Sequence, residues 1–144
     1  MITTYVINLE KDIERRNHMD TLLKPYTFLD IEFINAVNGR KLSEEQIANV
    51  FDEKLAYKRY GRKLNRGEIG CTLSHYKCYQ KLLDSSKDYA LILEDDITII
   101  GNLHLMEELQ KYMNTLEPCV CFLSGDYWWK TDVEKNDSFS IKSV

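Results

Sequence analysis

Residues 89–100 read YALILEDDITII, an apolar run from Tyr89 to Leu93 that meets Glu94, Asp95 and Asp96 without a break before Ile97 to Ile100 restore the apolar character. A short, continuously apolar run bounded by charge is the pattern of a strand buried on both faces, and such strands belong to parallel sheets covered by helices. The rest of the chain must then supply helices for both faces of that sheet. It must also give three adjacent carboxylates somewhere to stand at the strand's end.

The remaining segments alternate as this requires. Thr4 to Leu9 is a β-rich run, and Asp12 is a candidate N-cap for a helix with Met19, Leu22, Leu23 and Tyr26 at helical spacing, ended by Pro25. Ile31 to Val37 reads as a second strand, stopped by the turn dipeptide Asn38-Gly39. Ser43 with Gln46 forms an S-x-x-Q capping box for a helix reaching to Tyr57, and Asn65 with Glu68 opens the longest helix, Arg66 to Leu83. On that helix Ile69, Leu73, Tyr76 and Leu83 make an apolar stripe, while Glu68, Thr72, His75 and Tyr79 stack on another face, read as either a solvent face or one turned toward a polar cleft. Gly67 and Gly70 in its first turn weaken it by about 1 kcal/mol each relative to alanine, which a close backbone approach would justify.

After the acids, Asn102 is expected to cap a helix containing Leu103, Met106, Leu109, Met113 and Leu116, and Cys119 to Leu123 to form a further strand. The polar tail from Thr131 to Val144 reads as a weak hairpin about Asn136-Asp137 or a frayed end. The expected architecture is α/β, one domain over residues 1–144 with a mostly parallel central sheet flanked by helices.

Charge excludes several classes of function. Lys and Arg number 19 against 23 Asp and Glu, which suits neither a disordered acidic chain nor a nucleic-acid binder. Positive charge concentrates only at Lys54, Lys58, Arg59, Arg62, Lys63 and Arg66, read as a solvated face or an anion-binding loop. Apolar runs of about five residues fall far below the roughly 20 of a spanning helix, and the N-terminus lacks the basic region of a signal peptide, so a cytoplasmic chain is expected. Cys71, Cys78, Cys119 and Cys121 match no C-x-x-C pattern and are expected as buried free thiols.

Ligands of parallel α/β sheets sit outside the carboxyl ends of the strands, where Glu94, Asp95 and Asp96 fall. Strand alternation would point Glu94 and Asp96 to one side and Asp95 to the other. Like charges held together resist ionisation, and a divalent cation reverses that cost; hard oxygen ligands suit Mg²⁺ or Mn²⁺ and the diphosphates these ions carry. Acids capping a turn are the plainer alternative. A two-component phosphoacceptor domain is unlike this chain, because its acids follow the first strand.

Taken together, YVINLEKDIERR, NAVNGRKL, LNRGEIGCTLSHYKCYQKLL and YALILEDDITI resemble, in order and spacing, glycosyltransferase family 25, which includes bacterial lipooligosaccharide transferases and collagen galactosyltransferases. The resemblance covers residues 4–100, with GEIGC-x-LSH plus LEDD its most specific part. It implies a GT-A-like nucleotide-sugar-binding fold and a UDP-sugar donor, most often UDP-galactose, used with inversion on a lipooligosaccharide or lipopolysaccharide acceptor at the inner face of the cytoplasmic membrane. LEDD would be the family's D-x-D-like motif, with Asp96 holding Mn²⁺ (or Mg²⁺) on the diphosphate and Glu94 as a second metal ligand. Glu94 or Asp95 would contact the ribose or sugar. The same resemblance places Asn8, Leu9 and Arg15 or Arg16 beside the nucleotide, Asn38 and Gly39 in another wall, and Glu68, Ser74 and His75 on the donor side of the long helix.

Inversion requires a general base for the acceptor hydroxyl. Asp126, followed by Tyr127-Trp128-Trp129, is the sequence's weak candidate, and an ordinary acidic loop is the alternative. The resemblance implies longer members with an acceptor-side part not found in these 144 residues, so a short or truncated member is expected. Its alternative is a catalytically inactive paralogue that binds nucleotide-sugar or a partner. A nucleotidyltransferase is weaker, because no glycine-rich phosphate loop appears near the N-terminus.

Overall fold

The structure, a computed structural model, describes residues 1–113, 115–121, 123, 131–135 and 140–143. Two compact units divide the chain, Met1–Gly101 and Asn102–Val144.

The first unit is built on three parallel strands, β1 (Ile2–Asn8), β2 (Leu29–Asn35) and β3 (Leu91–Glu94), in the order β2-β1-β3. The α/β architecture with a parallel sheet is therefore as the sequence implied, and it is consistent with a GT-A-like fold. β1 is central and buried almost throughout, which is why TYVIN shows no polar alternation. Tyr5 and Ile7 pack with Ile34 and Cys78 on the face toward the long helix, while Ile2, Thr4 and Val6 take the alternate positions on the other face.

Helix α1 (Ile13–Leu23) stops before Pro25 as expected and buries Met19 and Leu23. Asp12 occupies its N-cap without a side-chain capping hydrogen bond. Strand β2 lies two residues earlier than Ile31 to Val37, because β1 ends at Asn8: Ala36 N–H donates to the Asn8 carbonyl, the last in β1, at 2.9 Å, and Val37 N–H turns to the Ser74 hydroxyl at 2.8 Å.

The helix anticipated from Ser43 to Tyr57 is two helices, α2 (Glu44–Val50) and α3 (Glu53–Tyr60). Phe51 is extended and Asp52 starts a new cap, accepting from Leu55 N–H at 2.8 Å. Gly61, at φ +69°, closes α3 in the left-handed conformation that glycine adopts without steric cost.

Helix α4 (Arg66–Leu83) has the predicted bounds and a complete Asn65/Glu68 capping box. Its buried face differs from the predicted stripe. Ile69, Gly70, Ser74 and Cys78 are buried, whereas Tyr76 and Leu83 are 56% and 76% exposed. Small residues carry this face because the backbone comes so close: a Cβ on Gly70 would lie 2.6 Å from the Val37 carbonyl oxygen and 2.7 Å from Gly39 N, and one on Gly39 would lie 1.8 Å from the Arg66 carbonyl oxygen. The short 3₁₀ turn Gly39–Lys41 is thereby pressed on the first turn of α4. The close approach expected of Gly67 is absent, since a Cβ there would meet only the Asn65 side chain, at 3.1 Å.

In the second unit, α5 (Leu105–Met113) is shorter than expected, and Asn102 Oδ1 accepts from His104 N–H at 3.1 Å. Cys119, Val120, Cys121 and Leu123 lie in no strand, contrary to expectation. Strands β4 (Thr131–Lys135) and β5 (Ser140–Ser143) pair antiparallel, where the tail hairpin was anticipated.

Candidate functional site

The parallel register sets Asn8 beside Asn35 and Ile7 beside Glu94, so the carboxyl ends of β1 and β3 stand together. β3 ends at Glu94, and Asp95 and Asp96 lie in the turn beyond it. Alternation therefore does not continue through the acids. Asp95 and Asp96 share one partner, Arg15 of α1, whose Nη1 donates to Asp95 Oδ1 at 2.9 Å and to Asp96 Oδ2 at 3.4 Å. Glu94 instead meets α4, with His75 Nε2 at 3.2 Å and Cys71 Sγ at 3.7 Å from its Oε1. The expected Glu94/Asp96 pairing is thus divided between two neighbourhoods.

Asp95 is the anchored member. Its side chain is 12% exposed, and Oδ2 accepts a 2.7 Å hydrogen bond from Asn8 Nδ2. Asn8, itself buried, also donates to the Asp12 carbonyl at 3.2 Å, tying the end of β1 to the start of α1. Asp96 has a side chain 61% exposed and hydrogen bonds only to Arg15 among the described residues. The hydrogen bond and charge of Asp95, with the charge of Asp96, push the Arg15 guanidinium further up.

The other predicted residues fall as follows. Leu9 follows β1, and its carbonyl accepts from Asp12 N–H at 2.8 Å. Arg16 lies over the Phe33 ring at 4.1 Å, a cation–π contact with β2. Asn38 caps the 3₁₀ turn by accepting from Arg40 N–H, and Gly39 permits the contact with α4 already described. The Ser74 hydroxyl is buried, donating to the Gly70 carbonyl at 2.7 Å while accepting from Val37. Glu68 is gripped by Arg62 through two hydrogen bonds, 2.6 and 2.9 Å, and accepts from Asn65 N–H at 2.7 Å; these hold its carboxyl at a pKa of about 2. Of the three predicted on the long helix, His75 is the one that meets the acids, and its ring also packs on Tyr79. Asp126 lies outside the described residues.

Sequence reasoning missed Cys71, although its i, i+4 spacing from His75 on α4 was a usable signal. Cys71 and Cys119 are exposed, which corrects their reading as buried thiols; Cys78 alone among the four is fully buried. The basic segment is partly neutralised, with Arg62 held by Glu68 and Arg66 by Glu44 and the Leu42 carbonyl.

The comparisons decide the family. The profile of "Glycosyltransferase family 25 (LPS biosynthesis protein)" matches residues 1–144. The chain belongs to glycosyltransferase family 25. A "Glycosyltransferase 25 family member" of Aedes aegypti is 41% identical to this family 25 chain over 96 residues, 65% of the chain and 16% of the relative. "Procollagen galactosyltransferase 2" of Homo sapiens is 30% identical over 116 residues, 78% of the chain and 18% of the relative. "Procollagen galactosyltransferase 1-B" of Xenopus laevis gives the same identity and coverage. The family 25 chain thus spans less than one-fifth of these relatives. Among its described residues, no helix is long and apolar enough to cross a membrane.

Proposed function

We propose that this chain forms the donor side of a glycosyltransferase, binding a UDP-sugar, UDP-galactose, at the carboxyl ends of β1 and β3. The observation that carries the reading is the gathering of Asn8, Arg15, Asp95 and Asp96 at that end of a parallel sheet, the place where α/β folds receive ligands. Galactose as the transferred sugar is favoured by the names of the relatives. A lipooligosaccharide or lipopolysaccharide acceptor follows the family's description, and a cytoplasmic position at the inner membrane surface follows from such an acceptor.

The donor set fits a hard divalent cation such as Mn²⁺ or Mg²⁺. Asp96 presents an exposed carboxylate, and Glu94 could add an oxygen once its side chain turns from His75. Bound there, the ion would neutralise charge developing on the departing diphosphate. Asn8 holds Asp95, and Asp95 holds Arg15, so the position of Asp96 is set by a chain of hydrogen bonds that starts in the sheet core. Arg15, 53% exposed, is the cation nearest those acids and can turn toward a phosphate.

In an inverting transfer the acceptor oxygen attacks the anomeric carbon, the bond from that carbon to the diphosphate breaks on the opposite side, and a base takes the hydroxyl proton. The test is galactose transfer from UDP-galactose to truncated lipooligosaccharide with Mn²⁺, the added hexose read by mass spectrometry of the acceptor and its anomeric configuration by NMR. A hexose added with inverted configuration supports the proposal. UDP-galactose binding without transfer supports the binding-only paralogue instead.

A further inference from the structure

Cys71 and His75 are one helical turn apart on α4, and Glu94 meets both from the end of β3. One ligand atom from each lies within 4.8 Å of the others: a thiol sulfur, an imidazole nitrogen and a carboxylate oxygen. Zinc takes this mixture of ligands, with bonds of about 2.3 Å to sulfur and about 2.0–2.1 Å to nitrogen and oxygen. Tetrahedral angles between bonds of those lengths require about 3.3 Å between nitrogen and oxygen and about 3.5 Å between sulfur and oxygen. The structure has 3.2 Å from His75 Nε2 to Glu94 Oε1 and 3.7 Å from Cys71 Sγ to the same oxygen.

From this geometry we infer that Cys71, His75 and Glu94 form a binding site for a borderline-soft divalent cation of the zinc class. It stands on these three side chains and shares only Glu94 with the proposed donor site. Its ligands distinguish it chemically from the oxygen-only setting of Asp96, because thiolate and imidazole select zinc or cobalt over Mg²⁺ and Mn²⁺. Rigid elements hold it: Cys71 and His75 sit on a helix fixed by its capping box and by the Gly70 contact, and Glu94 is paired in the parallel sheet. Cys71 and Glu94 are exposed, which leaves a fourth position open to water or an incoming ligand. Binding displaces the thiol proton to solvent and removes Glu94 from the acid group, so the ion acts as a competitor for that carboxylate.

The experiment titrates Co²⁺ into the full chain carrying Cys119→Ser and Cys121→Ser, since those two sulfurs, 3.8 Å apart, could hold metal themselves. A thiolate-to-cobalt charge-transfer band is expected, displaced by Zn²⁺ and not by excess Mn²⁺. Cys71→Ser should abolish it, and His75→Gln and Glu94→Gln should each weaken cobalt binding by more than ~10-fold. As a second reading that needs no substitution at the site, Zn²⁺ should slow alkylation of Cys71 more than ~10-fold in peptide mapping. A background protein with no thiolate band, a band that survives Cys71→Ser, or an unprotected Cys71 would overturn the inference.

Discussion

Asn8 Nδ2 donates to Asp95 Oδ2 at 2.7 Å, joining the end of the central strand to the turn that carries the acids. Asn8 is buried and Asp95 nearly so, hence losing either partner leaves the other short of one hydrogen bond where water replaces it poorly, even though Asp95 keeps Arg15 and Asn8 keeps the Asp12 carbonyl. Asn8→Ala is expected to cost about 1–3 kcal/mol in urea unfolding. A double-mutant cycle with Asp95→Ala should give a coupling of about 0.5–3 kcal/mol, and strict additivity would show that the bond contributes nothing.

The two glycines opening α4 should respond unequally. Gly70→Ala drives a methyl group to 2.6 Å from the Val37 carbonyl and should destabilise by about 1–3 kcal/mol through forced backbone shifts. Gly67→Ala meets only Asn65 Oδ1, at 3.1 Å, but that oxygen caps α4, so a helix-propensity gain of up to about 1 kcal/mol is offset by disturbing the cap and the net change should be smaller than for Gly70→Ala. Thermal melts of the two variants provide the comparison.

Glu68 gives the acid limb of stability a signature. Its folded pKa, about 2 against an ordinary 4.5, is depressed first by the Arg62 hydrogen bond and then by Asn65 N–H. A depressed carboxyl stabilises fully above its unfolded pKa and loses that stabilisation as pH falls through the folded value. Glu68→Gln keeps an acceptor for the capping box and removes the charge. The stability gap between wild type and Glu68→Gln should therefore be constant above pH 4.5 and close progressively toward pH 2; a gap unchanged down to pH 2 contradicts this account of the Arg62–Glu68 pair.

Burial pushes the Cys78 thiol up to about 11, and its side chain is fully enclosed between α4 and the sheet core. At neutral pH only about one molecule in ten thousand would carry the thiolate even with access. Iodoacetamide should label Cys71 in the native protein and Cys78 only after unfolding. Native labelling of Cys78 at a comparable rate would show that the α4 contact opens readily.

Much of this fold is legible from local rules. The capping boxes Ser43/Gln46 and Asn65/Glu68 need only a three-residue spacing, and the helices begin where those residues stand. The apolar run of β1 betrays a central strand because both of its faces are covered, with Thr3 alone half-buried. Reading fails where close packing replaces hydrophobicity. Gly70, Ser74 and Cys78 form the buried face of α4 because small side chains let backbones meet, so a search for large apolar residues chose Tyr76 and Leu83 instead. At the site, strand alternation was extended two residues too far: β3 stops at Glu94, and the turn sends Asp95 and Asp96 to Arg15 while Glu94 goes to His75. No local rule carries the contact between Arg15 and residues 80 positions away; it needs the parallel register.

In the proposed donor site the acids beyond β3 receive a metal-bound nucleotide diphosphate. Calorimetric titration of UDP into wild type and Asp96→Asn, each with and without Mn²⁺, tests it most directly. Wild type should bind UDP with Mn²⁺ and bind it at least ~10-fold more weakly without the ion, and Asp96→Asn should lose that dependence. Failure of wild type to bind UDP in the presence of Mn²⁺, or binding that is indifferent to both the ion and Asp96, would contradict the account.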